Sequence, residues 1–101
     1  MAGIQHVVLV RWSPGTPPEV EDEARRLVRS FTSVIPGVVS VTEGPSVSTE
    51  GLESGFTWGF VIAMESAEAL ERYLPHPEHR KLGALIVEHR EALAVYDVAE
   101  A

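Results

Sequence analysis

The chain reads as one α+β domain with the element order βαββαβ: a four-stranded antiparallel sheet with helices on one face. Three observations predict this class. Apolar residues alternate at a period of two in four separate segments. An amphipathic stripe at helical spacing separates the first segment from the second, and a proline-interrupted helical stretch separates the third from the fourth. In this split βαβ plan both crossovers place their helices on the same side of the sheet.

Residues 5–12 form the first predicted strand. His6, Val8, Val10 and Trp12 share one face, with Gln5, Val7, Leu9 and Arg11 on the other. Both faces are apolar in the middle, which suits a central strand covered on two sides. Ser13-Pro14-Gly15-Thr16-Pro17-Pro18 is a turn that leads into a helix. That helix carries Val20, Ala24, Leu27, Val28, Phe31, Val34 and Ile35 on one stripe. Glu19, Glu21, Asp22 and Glu23 come early, and Arg25, Arg26 and Arg29 later, an order that complements the helix dipole. These charges read as a solvated face.

Ile35-Pro36-Gly37 ends the helix, and residues 38–43 read as a half-exposed strand with Val39 and Val41 on one face. Residues 44–55 are a polar loop, either an edge extension or a flap. Residues 56–64 are the most apolar strand, with Phe56, Trp58, Phe60, Ile62 and Met64 on one face. Ser66 is a good N-cap for a helix over 67–74, which Pro75 stops. Pro77 suits the first position of another helix, whose inner side holds Leu82, Leu85, Ile86 and His89. Residues 93–98 form the last strand, with Leu93, Val95 and Asp97 on one face and Ala94, Tyr96 and Val98 on the other.

Helices on one side leave the second apolar face of the central strands uncovered. A free monomer would expose more than the few hundred Å² that soluble proteins usually tolerate. The pattern therefore predicts a twofold homodimer packed sheet to sheet.

Composition narrows the function. With 101 residues, the chain is expected to be a single domain spanning 1–101. Eight basic against 15 acidic side chains give a net charge of −7, which argues against nucleic acid and anionic membranes as partners. The lack of cysteine excludes disulfides, thiolate catalysis and Cys-based zinc sites, and fits a cytoplasmic protein. No apolar run approaches the roughly 20 residues of a membrane span. The start, Met1-Ala2-Gly3-Ile4-Gln5-His6, does not read as a secretion signal.

The chemistry concentrates in Tyr73-Leu74-Pro75-His76-Pro77-Glu78-His79. Steps of three let Tyr73, His76 and His79 converge on a helix, and two imidazoles with a phenol supply acid-base groups near neutral pH. The plainer reading is a proline-broken link between helices with histidines at a cap. His6 likewise reads either as a hydrogen-bonded strand-end histidine or as a third acid-base group. No metal site is expected, because His76 and His79 lack a surrounding set of carboxylates.

His6-Val7-Val8-Leu9-Val10-Arg11-Trp12, Ile35-Pro36-Gly37-Val38, Gly55-Phe56-Thr57, Glu65-Ser66-Ala67-Glu68-Ala69-Leu70, the Tyr73–His79 segment and Val95-Tyr96-Asp97 resemble, in that order, the stress-responsive dimeric α/β-barrel (Dabb) family. The resemblance implies a ferredoxin-like subunit and a homodimer whose two sheets form a barrel. In length and motif order the chain also resembles the family's plant polyketide cyclases, which implies catalytic roles for His6, Tyr73 and His79. Asp97 would orient a histidine, and His76 would be structural or at the pocket edge. The pocket between sheet and helices would be walled by Val8, Val10, Val28 and Phe60. Val28 stands where the cyclase type has an aromatic residue, and Trp58 where it has a histidine.

The resulting expectation is a small cofactor-independent enzyme performing aldol or acid-base chemistry on a small apolar carbonyl compound. The alternative is a non-catalytic stress-responsive or ligand-binding dimer.

Overall fold

The computed structural model describes residues 3–100; Met1, Ala2 and Ala101, which belong to the predicted domain and its N-terminal reading, lie outside the described residues. The elements are β1 (Ile4–Trp12), α1 (Pro18–Val34), β2 (Val38–Gly44), β3 (Trp58–Met64), α2 (Ala67–Tyr73), α3 (Pro77–His89) and β4 (Arg90–Ala99). The strands form one antiparallel sheet in the order β2-β3-β1-β4. The ferredoxin-like βαββαβ subunit is thus the one the periodicity predicts. β1 and β3, apolar on both faces, lie at its centre.

Register decides which side chains meet. His6 stands opposite Ile62 of β3 and Asp97 of β4; Val8 stands opposite Phe60 and Val95, and Val10 opposite Trp58 and Leu93. Partners across a ladder share a face, so these residues all point toward the helices. β3 alternates buried and half-buried along its whole length. Phe56 falls outside it, because a turn closed by the Phe56 N–H on the Glu53 carbonyl precedes the strand.

Helix α1 begins with Pro18, has Glu19 and Glu21 in its first turn, and buries Val20, Ala24, Leu27, Val28 and Phe31. Val34, expected on that stripe, is 41% exposed. The helix ends there, and Ile35, whose N–H bonds the Phe31 carbonyl, turns inward instead. Gly37 then takes φ +90°, and a Cβ there would lie 2.7 Å from that of Ala69, so only glycine fits.

The pairing of β2 with β3 shifts register between Val38 and Ser40. Val41 faces Ile62, while Val39 is left 63% exposed. The bulge therefore separates two valines that simple alternation puts on one face.

Two of the arginines read as solvated charges also have a buried partner. Register places Glu43 opposite Phe60, on the helix-facing side, with its side chain only 4% exposed. Its carboxylate accepts from Arg25 Nε at 2.9 Å, Arg29 Nε at 2.6 Å and Trp58 Nε1 at 3.0 Å. Burial pushes the Glu43 carboxyl up, but the bonds from Trp58, Arg29 and Arg25 outweigh it and hold it below the ordinary range.

Among the described residues, no helix lies over the opposite face of the sheet. Leu9, Tyr96 and Val98 are exposed there, with Tyr96 at 71%. Among the described residues, no helix is long and apolar enough to cross a membrane.

Candidate functional site

The Tyr73–His79 stretch folds as a tight link. Ser66 caps α2 by accepting from the Ala69 N–H at 3.1 Å, and Tyr73 is its last residue. Pro75 cannot extend that helix, and Pro77 opens α3. Between the prolines, His76 is the N-cap: its Nδ1 accepts from the Glu78 N–H at 3.1 Å, satisfying a donor the helix leaves free. His76 therefore shapes the link.

His79, one turn into α3, bonds through Nδ1 to the Leu74 carbonyl at 2.8 Å. A carbonyl only accepts, so Nδ1 carries the hydrogen and Nε2 keeps its lone pair. Burial lowers the His79 pKa; the Leu74 carbonyl opposes this, and the neighbouring His6 and His76 add to it. The ring is therefore neutral at pH 7. His6, buried on β1, makes the same kind of contact with Asp97: its Nδ1 lies 2.5 Å from Oδ1. The carboxylate accepts from this nitrogen, and Nε2 makes no hydrogen bond among the described residues.

Tyr73 lies between them. Its ring centroid is 5.4 Å from His6 and 4.4 Å from His79, and Phe31 supports it edge-on at 5.8 Å. Its side chain is fully buried, yet its hydroxyl has no partner among the described residues. Such a group costs stability unless something arrives to bond it. Burial first, and the Asp97 charge second, push the phenol well above its ordinary pKa, so it stays a donor.

These groups open onto a cavity of about 260 Å³ between α3 and the β1–β4 half of the sheet. His6, Val8, Phe60, Tyr73, Leu82 and Ile86 form its buried floor. Leu74, Val87, Leu93 and Val95, all exposed, form its rim beside Gly83. The wall is apolar and its polar groups converge, the usual make-up of a small-molecule site.

Of the nine residues expected here, His6, Tyr73, His79, Val8 and Phe60 line the cavity, and Asp97 backs His6 from behind. Val10 and Val28 do not: Val10 sits under Trp58, and Val28 belongs to α1, which covers the β2 side of the sheet. Both are fully buried core. His76 is absent from the wall for the capping reason given above. Trp58 points toward Glu43 and stacks on Trp12 at 6.0 Å, away from the cavity. Sequence reasoning missed the rim. Its signal was present in Gly83, a glycine inside a helix, and in Val87, an apolar residue off the inner stripe. Among the described residues, no group of three or more His, Cys, Asp or Glu side chains is placed to hold a metal ion.

Comparison with known proteins bears on the family and the fold. The family model described as the stress responsive A/B barrel domain matches residues 4–100. The chain is 28% identical over 94 residues to the stress-response A/B barrel domain-containing protein HS1 of Arabidopsis thaliana, covering 93% of this chain and 86% of that protein. It is 22% identical over 94 residues to olivetolic acid cyclase of Cannabis sativa, covering 93% of each. Among solved structures, a dimeric ferredoxin-like protein of unknown function from Jannaschia sp. superposes with a TM-score of 0.86 at 21% identity, covering 95% of this chain and 97% of that one. With the whole fold and nearly the whole length matched, the chain belongs to the stress-responsive A/B barrel (Dabb) family.

Proposed function

We propose that the protein is a small acid-base catalyst of the polyketide-cyclase kind, closing a carbon–carbon bond within a small, largely apolar carbonyl compound. The observation that carries this reading is the Tyr73 hydroxyl, fully buried, unpartnered and set between two imidazoles. A core tyrosine kept for packing alone would be better as phenylalanine.

In the proposed step, neutral His79 takes a proton through Nε2 from a methylene between two carbonyls. The resulting carbanion attacks a second carbonyl carbon of the same molecule, and that carbonyl's π electrons move onto its oxygen. Tyr73 donates a hydrogen bond to this oxygen as its charge grows. The proton held on His79 finally passes to it, so the balance closes without another reactant. His6, held by Asp97, accepts from the enol form of the substrate and fixes its orientation. The apolar walls fold the chain so that the reacting carbons meet. Olivetolic acid cyclase, by its name, forms a product of this type, and similarity to it supports the reading.

The test is turnover of β-polyketone thioesters. The expected loss in kcat is about 10²–10³-fold for Tyr73→Phe and about 10²–10⁴-fold for His79→Ala. Equal rates for wild type and both variants on every substrate would sink the proposal. A non-catalytic ligand-binding role has one observation in its favour: His76 and His79 both already hold the backbone of the link. It predicts a lower melting temperature for His79→Ala and no turnover even by wild type. Either role suits a homodimer formed through the helix-free sheet face, which the exposed Leu9, Tyr96 and Val98 and the dimeric state of the Jannaschia protein support.

A further inference from the structure

Gly83 stands in the middle of α3, where glycine is the poorest helix former after proline. Neither usual excuse applies. It has no positive φ, and a Cβ built on it meets nothing within 4 Å, so no neighbour presses on it. The space it leaves belongs to the cavity, whose wall it forms.

Its position in the helix gives that space a meaning. His79, Gly83 and Val87 follow one another at steps of four, so they make one stripe along α3, and all three line the cavity. His79 lies at the inner end and Val87 on the exposed rim. Side chains on a helix lean toward its N-terminus and cover the turn before their own Cα. A side chain at position 83 would therefore lean over His79. Leu93 and Val95 of β4 line the same cavity from the sheet side.

We propose that Gly83 is a specificity-determining residue: its missing side chain keeps His79 Nε2 open to ligand and sets how bulky a group can sit beside it. This rests on the reading of His79 as the reactive imidazole, but its test needs no turnover. Diethyl pyrocarbonate acylates the lone-pair nitrogen of neutral histidines, and the rate at each ring can be followed by peptide mass spectrometry. His89, at the far end of the same helix, is the internal control.

In Gly83→Leu, the reaction at His79 should be largely lost while that at His89 is unchanged. In Gly83→Ala, His79 should react more slowly than in wild type, and the melting temperature should rise by about 4–8 °C because a helix gains a better former. Benzoylacetone, with its planar ring, should protect His79 in wild type and lose that protection in Gly83→Ala. Acetylacetone should protect both. The proposal is overturned if His79 reacts equally fast in all three proteins, or if Gly83→Ala melts lower, which would mean that packing requires the glycine. It is overturned equally if both diketones protect wild type and Gly83→Ala alike. Should Gly83→Leu not fold, the Ala variant alone still decides. If His79 is shielded as expected but no β-polyketone is turned over, the catalytic reading fails and the role of Gly83 stands.

Discussion

Two polar clusters lie on the same face of the sheet, and they differ in what is left over. Under α1, Glu43 receives the Trp58 indole and two arginines, and Trp12 donates to Glu21 at 2.8 Å. Donors there have found acceptors. Under α3, His6 and His79 each use one nitrogen on the protein and keep the other free, and Tyr73 keeps a donor with no partner. A satisfied network rigidifies a core, whereas a half-satisfied one costs stability unless a ligand completes it. The first cluster is therefore architecture, and the second is the candidate site.

The largest test of this contrast is at Glu43. Glu43→Ala removes the acceptor for three charged or indole donors and should cost about 2–3 kcal/mol of folding stability, measured by denaturant unfolding. Turnover per folded molecule should be unchanged, since Glu43 does not line the cavity. A variant that unfolds normally but loses activity would erase the distinction between the clusters.

Acidification should separate the two clusters on one axis. The His79 pKa is lowered mainly by burial, so turnover should fall in acid at a lower pH than an ordinary histidine would give. The same depressed pKa makes its contribution to stability full above 6.5 and smaller as pH falls. The Glu43 pKa is also depressed, by bonds that outweigh burial, so its stabilisation is full above 4.5 and is lost as pH falls through the folded value. Catalysis should thus fail in acid before the fold does. Pre-steady-state rates and circular dichroism across the same pH series would show whether the two losses separate; coincident losses would mean one shared titration.

A smaller effect divides the Tyr73–His79 link itself. His76→Ala removes an N-cap acceptor and should cost about 1 kcal/mol with turnover per folded molecule unchanged at pH 7. A large loss of turnover in the folded variant would move His76 from the link into the site.

How much of this was legible in the sequence follows from the physics of each signal. Period-two alternation in β1, β3 and β4 grouped His6 with Val8, Phe60 with Ile62 and Asp97 with Val95, and the register keeps those groups on one face. Where a bulge interrupts β2, the same rule failed for Val39. Prolines at 75 and 77 carry fixed φ angles, so the end of α2 and the start of α3 were readable to within a residue. Glu43 was not, because a carboxylate at a strand end looks like surface until the register brings Arg25, Arg29 and Trp58 to it. Val10 and Val28 could not be told from cavity wall, since lining and core residues have the same apolar character. Only the placement of α1 over β2 and of α3 over β4 separates them.

The smallest expected change is the most discriminating. Replacing a fully buried tyrosine by phenylalanine usually costs stability when the hydroxyl is bonded. At Tyr73 it is not, and the phenol is held protonated by burial, so removing the oxygen takes away only an unmet donor. Tyr73→Phe should therefore unfold within about 0.5 kcal/mol of wild type, or slightly later. The ring contacts to His6, His79 and Phe31 remain, so the cavity keeps its shape. A loss of 1.5 kcal/mol or more, roughly the worth of a hydrogen bond to a charged group, would mean that the hydroxyl already has a partner in the folded protein. The cluster under α3 would then be as closed as the one under α1.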